Sequence, residues 1–206
     1  ISSSPTDVQP VFDTIAERAA RLCDANYGLV FTFGGELIHL GSIFGMDPQG
    51  VEAVRRQWPR RPGGHSIAGR TVSEGAVVHV PDVLADPEYP LKGAAEVAGY
   101  RCGLGVPMVH EGQIVGAILA LRAEAGRFSD KQVDLLKTFA SQAVIAIQNV
   151  RLFNEINEAL EQQTATSEIL RVISSSQTNV QPVFDTIVRS AVRLCDGLFS
   201  ALYQFD

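Results

Sequence analysis

The sequence lacks the features of a membrane protein and of a disulfide-linked protein. Its longest uninterrupted apolar run, from Ile114 to Leu121, is far shorter than the roughly 18 residues that a membrane-spanning helix needs. No charged and then apolar leader opens the chain, and its three cysteines form no CxxC pair. We therefore expect no membrane insertion and no metal site, and we expect a protein of the reducing cytoplasm.

Charge is also sparse. Charged residues make up 19% of the 206 residues, and the formal net charge is −6. An acidic chain has no broad attraction for nucleic acid or for an anionic membrane, so we expect neither as a partner. Arg55, Arg56, Arg60 and Arg61 surround Trp58, but on an acidic chain a solvated loop explains them better than an anion-binding patch.

An internal repeat organises the chain. Residues 1–15 return with few changes as residues 173–187, and residues 21–24 return as residues 193–196, an offset of 172. Each copy begins with a good N-cap residue, Asp7 or Asn179, and an amphipathic helix.

An alternating, aromatic-rich segment follows each helix and predicts a first strand, at residues 27–33 and again at residues 199–205. The second copy stops just after that strand. We therefore expect a complete domain over residues 1–150, a helical linker of coiled-coil type over residues 151–172, and the truncated start of a second repeat over residues 173–206.

The order of elements in the first domain predicts an α+β fold with helices around an antiparallel sheet. Ser66 is a predicted helix cap, and Gly75 stands where a helix-ending glycine belongs. The further predicted strands are residues 36–44, 76–81, 104–109 and 113–122, and the further predicted helices are residues 51–58, 66–74 and a short alanine-rich segment that ends near Gly99.

Three phrases within this order resemble the GAF domain family: VPDVLADPEY at residues 80–89, YRCGLGVP at residues 100–107 and IVGAILAL at residues 114–121. The resemblance covers residues 8–150 and begins again at residue 180. The repeat and its helical connector are also similar to the tandem GAF arrays of bacterial sensor histidine kinases. The resemblance implies a central antiparallel sheet flanked by helices, and a regulatory rather than an enzymatic role.

The resemblance further implies a ligand pocket where the sheet meets the short helices. Arg101 would be the partner for an anionic group there. The candidate lining residues are Phe31, Phe33, Phe44, His65, Ser66, His79, Tyr89, Tyr100, Arg101 and Cys102. The Asn-Lys…Phe…Asp-Glu signature of the cyclic-nucleotide subset is not found, and neither haem nor a bilin is supported, so the cofactor stays unknown.

A long helix follows the sheet. No glycine or proline occurs between residues 127 and 182, and Ser129 with Gln132 forms a predicted capping box. A single helix over residues 130–173 would be about 66 Å long at about 1.5 Å per residue, longer than its own domain, so it calls for a partner helix. We assign the dimer and signalling helix to Leu136, Ala143, Ile147, Val150, Phe153, Ile156, Leu160 and Leu170.

Together these features predict a cytoplasmic sensory module of a two-component signalling protein. It would form a homodimer through its flanking helices and relay the binding of an unidentified small molecule to an output kinase domain in the parent chain. Two alternatives stay open: a structural dimerisation repeat that binds no ligand, and a thiol-dependent reductase of the related fold that uses Cys102. Residues 64–71 resemble a phosphate-binding loop, but they follow no strand, so we expect a capped helix start there.

Overall fold

The computed structural model of the chain describes residues 8–175, 181–194 and 198–203. The chain divides into two compact units, Ile1–Val150 and Arg151–Asp206. None of the helices in the described ranges combines the length and the apolar content that a bilayer crossing requires.

The first unit is built on a five-stranded antiparallel sheet with the strand order β2-β1-β5-β4-β3. Its strands are β1 (Tyr27–Phe33), β2 (Ile38–Phe44), β3 (Val78–Val80), β4 (Cys102–His110) and β5 (Gln113–Arg122). Its helices are α1 (Gln9–Leu22), α2 (Pro48–Arg55), α3 (Ile67–Glu74), α4 (Lys92–Ala98) and the first part of α5 (Asp130–Ser175). The predicted α+β fold with an antiparallel sheet is confirmed.

Alternation along the strands separates two cores. Leu119 and Leu121 of β5 belong to the core covered by α2, α3 and α4, which we call the α2–α4 face. Ile118 and Ala120, the alternate residues, belong to the core covered by α1 and α5, the α1–α5 face. Since successive side chains of a strand point to opposite sides, β5 contributes to both cores at once.

Side-chain hydrogen bonds fix where α2 and α3 begin. Asp47 accepts the N–H of Gly50 at 2.7 Å and starts α2, and Ser66 accepts the N–H of Gly69 at 3.1 Å and starts α3. Gly75 ends α3 with a φ of 62°, as predicted. The predicted helix over residues 51–58 starts earlier than expected, because Asp47 caps it and Pro48 fits its first turn, and it ends at Arg55.

The helix α5 starts at the predicted capping box. Gln132 accepts the N–H of Ser129 at 3.0 Å, and Ser129 accepts the N–H of Gln132 at 3.3 Å. The helix then continues unbroken to Ser175, which confirms the predicted long helix. Leu136, Ala143 and Ile147, which we assigned to a dimer seam, are instead buried in the core of their own domain on the α1–α5 face.

The second unit contains the rest of α5 and α6 (Gln181–Leu194). The predicted strand at residues 199–205 does not form over residues 199–203, and residues 204–206, like both predicted cap residues Asp7 and Asn179, lie outside the described residues. A strand needs a neighbouring strand for its backbone hydrogen bonds, and the described part of this unit has none. Phe199 and Tyr203 are accordingly 87% and 80% exposed.

Candidate functional site

A small cavity lies between the sheet and the helices of the α2–α4 face. Its floor consists of Leu29 and Phe31 of β1 and Leu119 and Leu121 of β5. The rest of its apolar lining comes from the covering helices and the loop before α4: Val54, Ile67, Ala68, Leu91 and Ala94. The free space is about 20 Å³, which is room for about one water molecule. The cavity is therefore nearly filled by the protein's own side chains.

Two tyrosines bring hydroxyl groups to this cavity. The hydroxyl oxygens of Tyr89 and Tyr100 lie 3.1 Å apart, and the two residues are 5% and 4% exposed. Burial raises the pKa of Tyr89 well above its ordinary value and raises the pKa of Tyr100 as well. Both are therefore neutral phenols at physiological pH. Because one hydrogen bond between two phenols uses only one proton, the second O–H can donate to a further acceptor.

The other polar groups at the cavity are uncharged. Ser66 and Gln57 complete the lining, and the Ser66 hydroxyl, which already accepts the N–H of Gly69, still has its proton to donate. In the described part of the chain no charged side chain lines the cavity. The site therefore suits an uncharged group better than an anion or a cation.

Trp58 closes one side of the cavity. Its ring centroid lies 4.6 Å from that of Phe31, with the ring planes tilted by 54°. The indole is half-buried and sits in the segment after α2. The segment is held at the sheet edge because Arg60 and Ile38 exchange backbone hydrogen bonds of 2.7 and 3.1 Å.

The loop at residues 81–91 covers the cavity and is held by ion pairs. Arg70 of α3 donates to Asp86 at 2.7 Å, and Arg101 donates to Asp82. The hydrogen bond from each arginine is the main cause that lowers the pKa of its aspartate. Arg101, predicted to meet an anionic ligand, is therefore occupied by Asp82 and does not line the cavity.

Three other candidate residues lie on the opposite face of the sheet. Cys102 and Phe44 pack in the core of the α1–α5 face, and the ring of His79 contacts Phe128, which belongs to that same core. Within β4, Cys102 shares the α1–α5 face with the alternate residues Leu104 and Val106, whereas Tyr100 precedes the strand and does not follow its alternation. The cavity and Cys102 are thus separated by the sheet.

The buried thiols are poorly suited to nucleophilic chemistry. Burial raises the pKa of Cys102 and raises that of Cys23 to about 11. Cys102 donates to the carbonyl oxygen of Gly126 at 2.9 Å, and its sulfur lies 4.0 Å from Nε2 of His79. Since the thiolate is the nucleophile, two protonated and buried thiols argue against the reductase alternative.

Four of the predicted lining residues do line the cavity: Phe31, Ser66, Tyr89 and Tyr100. Phe33 packs at the edge of the same core, and His65 is exposed and pairs with Glu88 at 3.2 Å. The predicted set does not contain Trp58, Gln57 or the aliphatic lining. The available signal for Trp58 was a single large aromatic next to the amphipathic helix α2, since such residues rarely stay in solvent.

Comparison with known proteins agrees with the fold. The sequence profile of the GAF domain matches residues 5–148. A GAF domain/HD domain protein from Geobacter sulfurreducens has 20% identity and a TM-score of 0.60, over 72% of this chain and 96% of that one. A domain assigned to a two-component sensor histidine kinase of Sinorhizobium meliloti 1021 has 18% identity and a TM-score of 0.56, over 70% of this chain and 93% of that one.

A free methionine-R-sulfoxide reductase from Neisseria meningitidis is also similar in structure. It has 18% identity and a TM-score of 0.57, over 71% of this chain and 81% of that one. At these identities the likeness shows the fold alone. The profile match spans most of the chain and coincides with the sheet and its helices, and the chain therefore belongs to the GAF domain family.

Proposed function

We propose that this chain is a non-catalytic sensory module of a cytoplasmic two-component protein, a sensor histidine kinase. It binds a small uncharged molecule in the cavity of the α2–α4 face. It pairs with a second copy through its long helix, which relays the binding event to an output kinase domain in the parent chain. The observation that carries the proposal is an apolar cavity with neutral tyrosine hydroxyls and no charged lining residue in the described part of the chain.

The lining restricts the chemistry of the ligand. A charged group would lose its hydration in this cavity without gaining an ionic partner, so an uncharged molecule is favoured. The Tyr89 and Tyr100 hydroxyls would orient a carbonyl or hydroxyl group by hydrogen bonding. Since the free space is about 20 Å³, a ligand larger than water must displace Trp58 or the loop at residues 81–91.

A relay through the sheet follows from the shared strand. Leu119 and Leu121 contact the cavity, and the alternate residues Ile118 and Ala120 pack in the same core as Leu136 of α5. Close packing transmits small displacements because interiors have little free volume. A ligand that moves β5 therefore bears on the first part of α5.

The distal part of α5 has the exposed side chains that pairing needs. Phe153, Ile156, Leu160 and Leu170 are 56%, 64%, 58% and 57% exposed. Apolar side chains at spacings of three and four along a helix favour a second helix as partner. The similar domain assigned to a two-component sensor histidine kinase of Sinorhizobium meliloti 1021 supports the kinase context.

Ligand binding is tested by thermal unfolding with indole, phenol and p-cresol as neutral aromatic probes, and with haem, biliverdin and cyclic nucleotides for comparison. A neutral probe that binds should raise the unfolding temperature, because a ligand at about 100 times its Kd adds about 2.7 kcal/mol to stability. It should also change the fluorescence of Trp58, the single tryptophan of the sequence.

Two variants sharpen this test. Tyr100→Phe should weaken binding about fivefold, the usual effect of one hydrogen bond, whereas Tyr203→Phe, at a residue that is 80% exposed, should leave binding unchanged. Binding that is equal in both variants would contradict the assigned role of the tyrosine pair.

The second candidate function is a structural dimerisation module whose cavity is filled by its own aromatic side chains. The small free volume and the packing of Trp58 on Phe31 favour it. This function predicts that none of the probes shifts the unfolding temperature while the protein still forms a dimer. That combined outcome would overturn ligand sensing and retain the pairing.

A further inference from the structure

The strand β2 forms one edge of the sheet, because among the described strands only β1 pairs with it. At its start, Ile38 exchanges backbone hydrogen bonds of 2.7 and 3.1 Å with Arg60, in an isolated antiparallel bridge. The chain therefore supplies one position of a sixth strand. It does not supply the next positions, because Trp58 turns back to α2 and donates its N–H to the carbonyl oxygen of Arg55 at 3.1 Å.

Leu40 presents its backbone to this open edge. Both backbone groups of Ile38 point away from β1, since both bond to Arg60. The backbone groups of an antiparallel strand alternate in direction, so those of Leu40, two residues farther along, also point outward. Within the described residues, no backbone hydrogen bond from outside the sheet reaches Leu40. An outward N–H and C=O are the groups on which another strand can be added.

A cleft of about 290 Å³ lies beside this part of β2. Residues 39–43 of the strand form its base, Gln9 of α1 flanks it on one side, and Arg55, Trp58 and Pro59 flank it on the other. The helices α1 and α2 cover opposite faces of the sheet. The cleft therefore lies at the edge itself rather than over one face, which is where an added strand would run.

The side chain of Gln9 already bonds to this edge. Its Nε2 donates to the carbonyl oxygen of Gly41 at 2.9 Å. Gly41 is the extra residue of a β-bulge and has no partner on β1. A side-chain amide thus donates to β2 much as the backbone N–H of a neighbouring strand would, and the edge can accept amide donors from outside the strand.

The cleft carries uncompensated positive charge. Arg55 lines it, and no acidic side chain of the described residues does. Arg56 and Arg61 are paired with glutamates at 2.7 and 3.5 Å. Arg55 and Arg60, in contrast, take part in no ion pair within the described part of the chain. An acidic side chain at the cleft would therefore find a guanidinium that is available for pairing.

We propose that β2 binds an extended, acidic peptide segment of a partner protein as a sixth strand. The peptide backbone bonds to the N–H and C=O of Leu40 and continues the bridge that Arg60 begins. An acidic side chain of the peptide pairs with Arg55, and an apolar one packs on Trp58. Strand addition draws its affinity from main-chain hydrogen bonds and its specificity from the contacts of alternate side chains.

Titration with a synthetic peptide tests this binding in the full chain. The probe is a short acetylated and amidated peptide of alternating valine and glutamate. It has no tryptophan, so binding is followed by the fluorescence of Trp58, the single tryptophan of the sequence. We expect a saturable change at low salt, and binding about tenfold weaker or less when lysine replaces glutamate. No change with the glutamate peptide, or equal binding of both peptides, would overturn the proposal.

Charge reversal tests the assigned pairing. Arg55→Glu should raise the Kd of the glutamate peptide about tenfold or more, because attraction becomes repulsion. Lys131→Glu is the matched control, since it makes the same change of net charge at an exposed residue of α5. The start of α5 contacts His79 of β3, at the opposite edge of the sheet from β2. Its Kd should equal that of the wild-type chain, and equal losses in both variants would overturn the proposal.

Hydrogen exchange shows where the peptide lies. The backbone N–H of Leu40 should exchange quickly in the free chain and about tenfold more slowly or less with the glutamate peptide bound, as measured by NMR on isotope-labelled chain. The N–H of Gly112, in the turn between β4 and β5, should exchange at the same rate in both states. A peptide that binds without slowing exchange at Leu40 would overturn strand addition. These measurements need neither a small ligand nor a dimer, so a negative result leaves the proposed function standing.

Discussion

At the scale of single residues, His79 links the sheet to the start of α5. Its Nε2 accepts the backbone N–H of Phe128 at 3.1 Å, and the two rings lie 5.5 Å apart. Burial is the main cause that lowers the pKa of His79, followed by the charges of Arg127 and Arg122. The hydrogen bond requires an unprotonated Nε2. Phe128, the residue before the cap Ser129, is therefore held by a neutral imidazole.

This pKa shift predicts a pH dependence of stability. Because the pKa of His79 is lower in the folded than in the unfolded chain, the unfolded chain binds more protons at mildly acidic pH. The free energy of unfolding should therefore fall as the pH drops below the ordinary histidine pKa of 6.5, until it passes the folded-state pKa. Urea unfolding from pH 8 to pH 5 measures this.

The matched variants are His79→Gln, which keeps an acceptor but does not titrate, and His39→Gln, at an exposed residue of β2. The slope should be smaller in His79→Gln and unchanged in His39→Gln. A wild-type slope in His79→Gln would show that other groups cause the pH dependence.

At the scale of elements, α3 packs on β4 at the closest distance that side chains allow. Gly105 of β4 lies under α3, and a Cβ there would overlap Oγ1 of Thr71 and come within 2.9 Å of Cγ2 of Ile67. Thr71 is itself fixed, since it donates to the carbonyl oxygen of Ile67 at 2.8 Å. The glycine thus lets a helix that lines the cavity approach the sheet.

We expect Gly105→Val to destabilise the domain by about 1 to 3 kcal/mol, the usual cost of overpacking. Gly93→Ala is the opposite case, because a Cβ at this position of α4 meets nothing within 4 Å. It should stabilise the domain by about 0.5 to 1 kcal/mol. Chemical unfolding of both variants measures the contrast, and two changes of the same sign would contradict the assigned packing.

The start of α5 provides a second test at this scale. Ser129→Ala removes the capping hydroxyl and should cost about 1 kcal/mol of unfolding free energy. Ser141→Ala, at an exposed position within the helix where Ser141 donates to the carbonyl oxygen of Lys137, should cost less or stabilise, since alanine is the better helix former. Equal costs would indicate that the capping box contributes nothing.

Elements governed by local chemistry could be predicted from the sequence. The long helix follows from the absence of glycine and proline and from its capping box, and the end of α3 follows from Gly75. The predicted strand at residues 199–205 was wrong over its described part, because alternation alone does not supply the neighbouring strand that a sheet requires.

The site was less predictable, because its members are brought together by tertiary contacts. Tyr89 and Tyr100 belong to different segments, and their hydroxyls meet only when the loop at residues 81–91 folds over the sheet. Cys102 is two residues from Tyr100 but faces the other core. Where a strand begins decides which face each residue occupies, and the start of a strand is poorly fixed by its sequence.

At the scale of the whole molecule, the proposed pairing makes stability depend on concentration. A dimer that forms only from folded chains raises the unfolding temperature as the protein concentration rises. Because the side chains proposed to pair, Phe153, Ile156, Leu160 and Leu170, are uncharged, the dimer Kd should not rise between low and high salt, unlike that of an interface held by ion pairs. Unfolding scans over a wide range of concentration, and sedimentation at two salt concentrations, test both expectations. A dimer that dissociates in high salt would point to a charged interface elsewhere.

Because β5 contributes side chains to both cores, it also limits how proteins of this architecture can diverge. Inserting one residue into β5 before Ile118 would turn Leu119 and Leu121 toward the α1–α5 face. It would also turn Ile118 and Ala120 toward the cavity on the α2–α4 face. Such a change would place each of these side chains among the residues of the opposite core. Ligand preference can therefore drift through replacements of side chains in β5, while changes of length are confined to the connections between strands and helices.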